Sequence, residues 1–293
     1  MVSRLYRQGL SSRIFDSVIL FVLTIASLLT LYPLIYVIVL SLSTANIPNP
    51  YLYLWPVKPQ LENYQVVLQF PVFWRAYLNT VLYSVSGAGL CVLVTMLTAY
   101  ALSIETLPFR RIILFLIVFT MLFSGGLIPY YLQIRNLGLV NNPLVMILPG
   151  ALSGFNVIIA LTFLRTNIPR ELCEAARIDG AGDWAILWRI VFPLSKPIVA
   201  VLALFSGVAI WNSYFSALIF LSDRDLFPVA LVLREIVVGV SMIESLPAEV
   251  KTQTSIAGVR TATLVLSVLP LLVIYPFLQK YFAKGVMLGA IKG

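Results

Sequence analysis

Residues 171–193 read ELCEAARIDGAGDWAILWRIVFP, a stretch with six charged side chains, Glu171, Glu174, Arg177, Asp179, Asp183 and Arg189, set between strongly apolar flanks. Its pattern is that of two short helices around a corner. Pro169 suits the first turn of a helix, Glu171 complements the positive end of the helix dipole, and Arg170 and Glu174 stand as an i, i+4 pair. Gly180 stops that helix, because glycine takes positive φ without a steric penalty. Asp183 is placed to cap a second helix, in which Trp184, Leu187, Trp188 and Val191 share one face by their spacing and which Pro193 ends. A polar helix pair with one apolar face has the shape of a docking element, and its surroundings decide where it docks.

Those surroundings are hydrocarbon-like. Of 293 residues, 60% are apolar and 11% charged, with a mean hydropathy of +0.96, whereas soluble domains are about a quarter charged. The chain therefore reads as an all-α integral membrane protein. Crossing about 30 Å of hydrocarbon takes roughly 20 apolar residues, and six windows meet that requirement: 17–42, 76–103, 112–133, 143–164, 197–221 and 261–279. A seventh, 226–243, carries Arg234 and Glu235 at its middle; each would cost about 2.5–3.5 kcal/mol at a span's centre, which puts this segment outside the bilayer. The first window is longer than a signal-peptide core and lacks a small-residue cleavage site after it, so it reads as an uncleaved anchor.

Charge sets the orientation. With the N-terminus inside, 13 Lys and Arg residues face the cytoplasm and 7 face out; six acidic residues on each side leave +7 and +1, matching the chain's +8. The positive-inside rule thus supports six spans with both ends cytoplasmic, and it puts the 171–193 elbow on the cytoplasmic side. These basic residues flank apolar spans singly or in pairs, which argues against nucleic-acid binding. The two cysteines, Cys91 in a span and Cys173 in the elbow, and the absence of histidine leave no disulfide, no metal site and no histidine base.

The elbow resembles the EAA loop of bacterial ATP-binding-cassette importer permeases, whose pattern is E-A-A, three residues, G, nine residues, I, one residue, L-P. Glu174, Ala175, Ala176, Gly180, Ile190 and Pro193 match it, with Phe192 where the pattern has leucine. The resemblance implies that these six residues couple the chain to a cytoplasmic ATPase. It extends over nearly the whole chain: LENYQVVLQFPVFWRAYLNTVLYS (61–84), IWNSYFSALIFL (210–221) and LQKYFAKGVMLGAIKG (278–293) are similar to the second of the two unlike permeases of maltose-type carbohydrate importers. FSGGLIPYYLQIRNLGL (123–139) and DRDLFPVALVLREI (223–236) are similar to the branch that handles polysaccharide-derived oligosaccharides, including uronates such as the alginate imported by Sphingomonas-type bacteria.

The implied fold is that of a type I importer permease: six transmembrane helices with a cytoplasmic coupling helix pair. The implied partners are a second, unlike permease, two copies of an ATPase, an extracytoplasmic solute-binding protein, a carbohydrate and membrane lipid, in the bacterial inner membrane. This chain would hold no cofactor of its own, ATP and Mg being bound by the partner ATPase. The implied domains are an N-terminal anchor and extracytoplasmic segment (1–72), a permease core (73–285) that includes the EAA loop (169–196), and a cytoplasmic tail (286–293).

A second route reaches the same class. No Asp, Glu, Lys or Arg falls within the six windows, although ion-driven transporters need intramembrane ionisable groups. The chain also has no G-x-x-x-x-G-K-[ST], so energy must arrive from a separate nucleotide-binding protein. A membrane-embedded enzyme lacks its usual side chains here; the remaining alternatives are a permease for another small solute and a non-transporting assembly subunit.

Sugars require aromatic faces and neutral hydrogen-bonding groups. Trp211, Asn212 and Tyr214, together with Asn156 and Tyr83, are the substrate-path candidates; ordinary packing and interhelical hydrogen bonding are the competing reading of the same residues. Gly125, Gly126 and Pro129 mark either a break in the third span or its end. Pro48, Pro50, Pro56 and Pro59 with Tyr51, Tyr53 and Trp55 form a proline-broken aromatic stretch outside, which reads either as an interfacial aromatic belt, the favoured reading, or as a meeting point for a binding protein. Arg4, Arg7 and Arg13 belong to an amphipathic inner-surface anchor. The tail 280–293 is either a frayed terminus or, by the resemblance, part of the ATPase interface.

Overall fold

The computed structural model describes residues 10–43, 54–238 and 256–290, with the side chains of 10–13, 237 and 277–290 outside the description. In hydrocarbon a backbone must satisfy its own donors and acceptors, and every regular element among the described residues is helical. By contact density the chain divides into one unit of residues 1–69 and 240–266 and another of residues 70–239 and 267–293. Arg4, Arg7, Pro48, Pro50, Tyr51 and Tyr53 lie outside the described residues.

In the first unit, α1 (Leu10–Ser41) is exposed over most of its length, as a helix surrounded by lipid or a partner subunit would be. Its hydroxyls bond internally: Thr24 and Ser27 donate to the carbonyls of Leu20 and Leu23, both at 2.7 Å. At its end, Asn63 of α2 (Glu62–Gln69) donates to the carbonyls of Ser41 and Ser43 at 3.0 and 3.1 Å. A buried amide thereby satisfies acceptors that the helix terminus leaves open.

The second unit is organised on α3 (Pro71–Ser103), which has proline in its first turn, where the missing N–H costs nothing. Beside α3 lie α6 (Gly154–Asn167) and α10 (Lys196–Trp211). The apolar core gathers Met96, Ala99 and Leu102 of α3, Val157, Ala160 and Leu161 of α6, and Ile198 and Leu202 of α10. Among the described residues, α11 (Tyr214–Phe220), α12 (Val229–Val238) and α13 (Ile256–Ala290) follow α10, with α13 contributing residues to both units.

The six expected spans are not six straight helices. Among the described residues, Ile14–Ser41, Pro71–Ser103 and Ile256–Pro276 are by length and composition single helices able to cross a membrane, and the number of such elements reaches five if each of two bent helix pairs is one span. The third window breaks into α4 (Arg110–Leu122) and α5 (Leu127–Asn136), turned by 118°. Gly126 supplies the corner at φ 83° and ψ 174°, a region essentially restricted to glycine. The fourth window becomes a 3₁₀ turn (Pro143–Met146) and a helix that starts only at Gly154. The intervening Pro149–Gly150 pair suits a turn, a feature to which mean hydropathy is blind.

The fifth window breaks between α10 and α11. Asn212 donates back to the Val208 carbonyl at 2.9 Å and Ser213 to Ile210 at 2.6 Å. These side chains compete with the backbone ladder at the helix end. The charged 226–243 segment contains α12, a ten-residue helix of about 15 Å. It packs on α3 and ties Glu235 to Arg224 at 3.0 Å.

Candidate functional site

The elbow begins at α7 (Arg170–Ile178), with Pro169 at its N-cap rather than inside its first turn. Glu171 in the first turn and Arg177 in the last complement the helix dipole. No α7 residue is buried; Cys173 and Ala176 are half-buried against the core. Gly180 follows at φ 86°, with nothing within 4 Å of where a Cβ would stand, so its requirement is for backbone conformation and not for space. The second helix starts as α8 (Asp183–Ile186), widens into a π-helical turn (Leu187–Val191) and tightens again as α9 (Phe192–Leu194).

Several sequence expectations need correction here. Arg170 pairs with Glu105, at 2.6 Å, instead of Glu174. Asp183 lies one residue inside its helix, Gly182 taking the cap position. Its carboxylate instead accepts from Arg177 Nη2 at 3.0 Å and from the Tyr100 hydroxyl at 3.3 Å. Pro193 does not end the helix. The wide π turn, in which Phe192 N–H bonds the Leu187 carbonyl, shifts the ladder just before the residue that has no N–H, and such turns accommodate an irregular ladder. The break falls at Ser195, where the run Asp183–Leu194 meets α10 at 80°.

The expected apolar face is divided as well. Ile186, Leu187 and Val191 are buried in the core, while Trp184 and Trp188 are 68% and 45% exposed. Together with Ile178, 87% exposed, they leave large apolar side chains on the outside of an otherwise polar element. Glu174, Ala175, Gly180 and Pro193 are also exposed, and Ala176 and Ile190 are half-buried.

Beneath α7 lies a cavity of about 240 Å³, lined by residues that include Tyr100, Glu105, Arg165, Arg170, Glu174 and Arg177. Arg110 Nε and Arg165 Nη2 both donate to the Leu102 carbonyl at the end of α3, at 2.8 and 3.4 Å, cations at a helix C-terminus. Burial raises the Cys173 thiol above its usual pKa. The hydrogen bond to Asp183 raises the Arg177 guanidinium. Tyr100, Glu105 and Arg165 were not singled out from the sequence, because they approach the elbow only through the ends of α3 and α6.

The substrate-path candidates separate into two groups. Trp211 is buried, donating to the Ser267 carbonyl at 3.1 Å and meeting Tyr77 edge-on at 5.8 Å. Tyr83 is buried and donates to the Leu226 carbonyl at 3.0 Å. Asn156, also buried, reaches Cys91 Sγ at 3.5 Å and Ser206 Oγ at 3.4 Å, joining α6 to α3 and α10. Asn212 and Tyr214 remain exposed at the α10–α11 break. An aromatic group the sequence did not mark stands nearby in α5 and α11: Tyr131 stacks on Phe220 at 5.8 Å and Tyr130 meets the same ring edge-on at 5.6 Å. Paired tyrosines beginning four residues past Gly126 were the available signal.

Comparison with known proteins gives a consistent result. The model of the family described as "Binding-protein-dependent transport system inner membrane component" matches residues 1–288. Protein LplC of Bacillus subtilis (strain 168) is 36% identical over 292 residues, 97% of this chain and 96% of LplC. The polygalacturonan/rhamnogalacturonan transport system permease protein YtcP of the same organism is 36% identical over 287 residues, 97% of this chain and 100% of YtcP. In the crystal structure of a bacterial ABC transporter involved in the import of the acidic polysaccharide alginate, one chain superposes with a TM-score of 0.85 at 34% identity, over 94% of this chain and 99% of that one.

Proposed function

This chain belongs to the binding-protein-dependent transport system inner membrane component family, and from that premise we propose that it is one of two unlike permeases in an ATP-driven importer of oligosaccharides derived from acidic polysaccharides. The family is one of transporter permeases and not of enzymes. The observation that carries the substrate class is that a relative handling polygalacturonan and rhamnogalacturonan and a structural neighbour handling alginate both serve acidic polysaccharides.

In this reading two copies of a cytoplasmic ATPase bind ATP and Mg, and a solute-binding protein delivers the sugar from outside. The elbow residues Glu174, Ala175, Ala176, Gly180, Ile190 and Pro193 receive the ATPase. The exposed Ile178, Trp184 and Trp188 supply apolar area for that contact. Asn212 and Tyr214, exposed at a helix break, offer an amide and an aromatic face to the sugar path. Both chain ends lie in the cytoplasm, in keeping with the charge asymmetry. The α13 helix continues to Ala290, which brings the tail toward the same side as the elbow in this topology.

The test is ATP hydrolysis by the reconstituted permease pair, ATPase and binding protein. Oligogalacturonate and alginate oligosaccharides are expected to stimulate it severalfold and neutral malto-oligosaccharides are not. Equal stimulation by the neutral sugars would remove the substrate class. A purified chain that retains no ATPase would remove the importer reading itself.

A further inference from the structure

We propose that two ionic straps, Arg177–Asp183–Tyr100 and Arg170–Glu105, carry the motion of the elbow into α3, making Tyr100, Glu105 and Asp183 positioning residues for coupling. The inference rests on the reading that a partner ATPase moves residues 170–193. The packing of α7 is what requires such straps. That helix has no buried residue, borders a cavity of about 240 Å³ and touches the core through the partly buried Cys173 and Ala176, so its apolar contact with the core is thin. Dispersion contacts transmit displacement only where atoms touch. The second helix is well packed through Ile186, Leu187 and Val191, but its chain continues into α10 through an 80° corner at Ser195, whose buried hydroxyl has no hydrogen-bond partner among the described residues.

The polar links from the elbow to α3 and the turn after it run through charged side chains. Arg177 and Tyr100 meet on the same Asp183 carboxylate oxygen, at 3.0 and 3.3 Å. Arg170 meets Glu105, in the turn that follows α3, at 2.6 Å. Arg170 and Arg177 are seven residues apart, two turns on one face of α7, so the helix is tied near both of its ends, to Glu105 at the first and to Asp183 at the last. The four charged side chains are 44–64% exposed. Ion pairs so exposed add little to folding stability, and a stabilising role does not account for their arrangement. Tyr100 and Asp183 are 83 residues apart in sequence, so this connection exists only in the folded chain.

The experiment uses the whole importer in proteoliposomes and reads ATP hydrolysed per molecule of labelled oligogalacturonate or alginate oligosaccharide taken up. Asp183→Asn keeps an acceptor for Tyr100 and loses the charge; Glu105→Gln does the same for the other strap. Each is expected to raise ATP consumed per solute by threefold or more, and the double variant by tenfold or more, with basal ATP hydrolysis within twofold of wild type. Arg177→Lys, which keeps the charge, should stay within twofold in both measures. A double variant with an unchanged ratio overturns the proposal. So does loss of ATPase from the purified Asp183→Asn complex, which would make Asp183 a docking residue. A wild-type complex that retains no ATPase removes the functional reading, and the straps' role with it.

Discussion

At the scale of single residues, Gly180 and Asn156 show two ways in which one position constrains the chain. Gly180 holds φ 86° with open space where a side chain would stand. A Cβ there meets no neighbour, and the cost is that of the left-handed conformation, about 1–2 kcal/mol for an L-residue. Gly180→Val is expected to redirect α8 relative to α7 and to uncouple hydrolysis from uptake. Parallel assays of both in proteoliposomes check this; unimpaired uptake would remove the corner from the mechanism. Asn156 instead joins three helices through Cys91 and Ser206. Interhelical hydrogen bonds in membrane proteins average about 0.6 kcal/mol each, so Asn156→Ala should lower stability by about 1 kcal/mol and leave the apparent KM for sugar unchanged. A thermal melt in detergent beside an uptake titration decides this, and a KM shift without a melting shift would return Asn156 to the sugar path.

At the scale of elements, the second helix of the elbow was legible in sequence as apolar and short, but its division into buried and exposed faces was not. A spacing rule placed Trp184, Leu187, Trp188 and Val191 together. The structure buries Leu187 and Val191 and leaves both tryptophans out. The reason is that Ile186 also enters the core, so the buried direction is set by Ile186, Leu187 and Val191 against α3 and α6. The exposed side is the one available to a partner. Trp184→Ala is expected to weaken ATPase binding by about 2 kcal/mol, roughly thirtyfold in Kd, as truncation of an interfacial tryptophan does. Titrating the detergent-solubilised permease pair with ATPase measures this, and an unchanged Kd would place the docking face elsewhere. The broken spans teach a related lesson, because Gly126, Pro149 and Asn212 each interrupt a window whose average hydropathy was sufficient. Chain direction there depends on individual backbone requirements that an average conceals.

For the whole molecule, the two cysteines test topology without any substitution. Cys91 is 1% exposed and Cys173 is half-buried in the elbow. A membrane-impermeant maleimide should label Cys173 in inside-out vesicles lacking the ATPase, and should label nothing in right-side-out ones. Since burial raises the Cys173 thiol's pKa, less of it is thiolate at neutral pH, and labelling should accelerate as pH rises. Labelling from the outside would invert the proposed orientation and remove the elbow from any contact with ATP chemistry. Membrane residence, the helical class, the elbow with its positive-φ glycine and the resemblance carried by Glu174, Ala175, Ala176 and Gly180 were all determined by the sequence, because hydropathy, charge bias and local spacing act between near neighbours in the chain. The burial of Trp211 and Tyr83, and the junction of Tyr100 with Arg177 and Asp183, were decided by the tertiary structure alone. Those features depend on which distant groups share a contact, and a side chain's burial or hydrogen-bond partner is a property of the packed helices rather than of the segment that carries it.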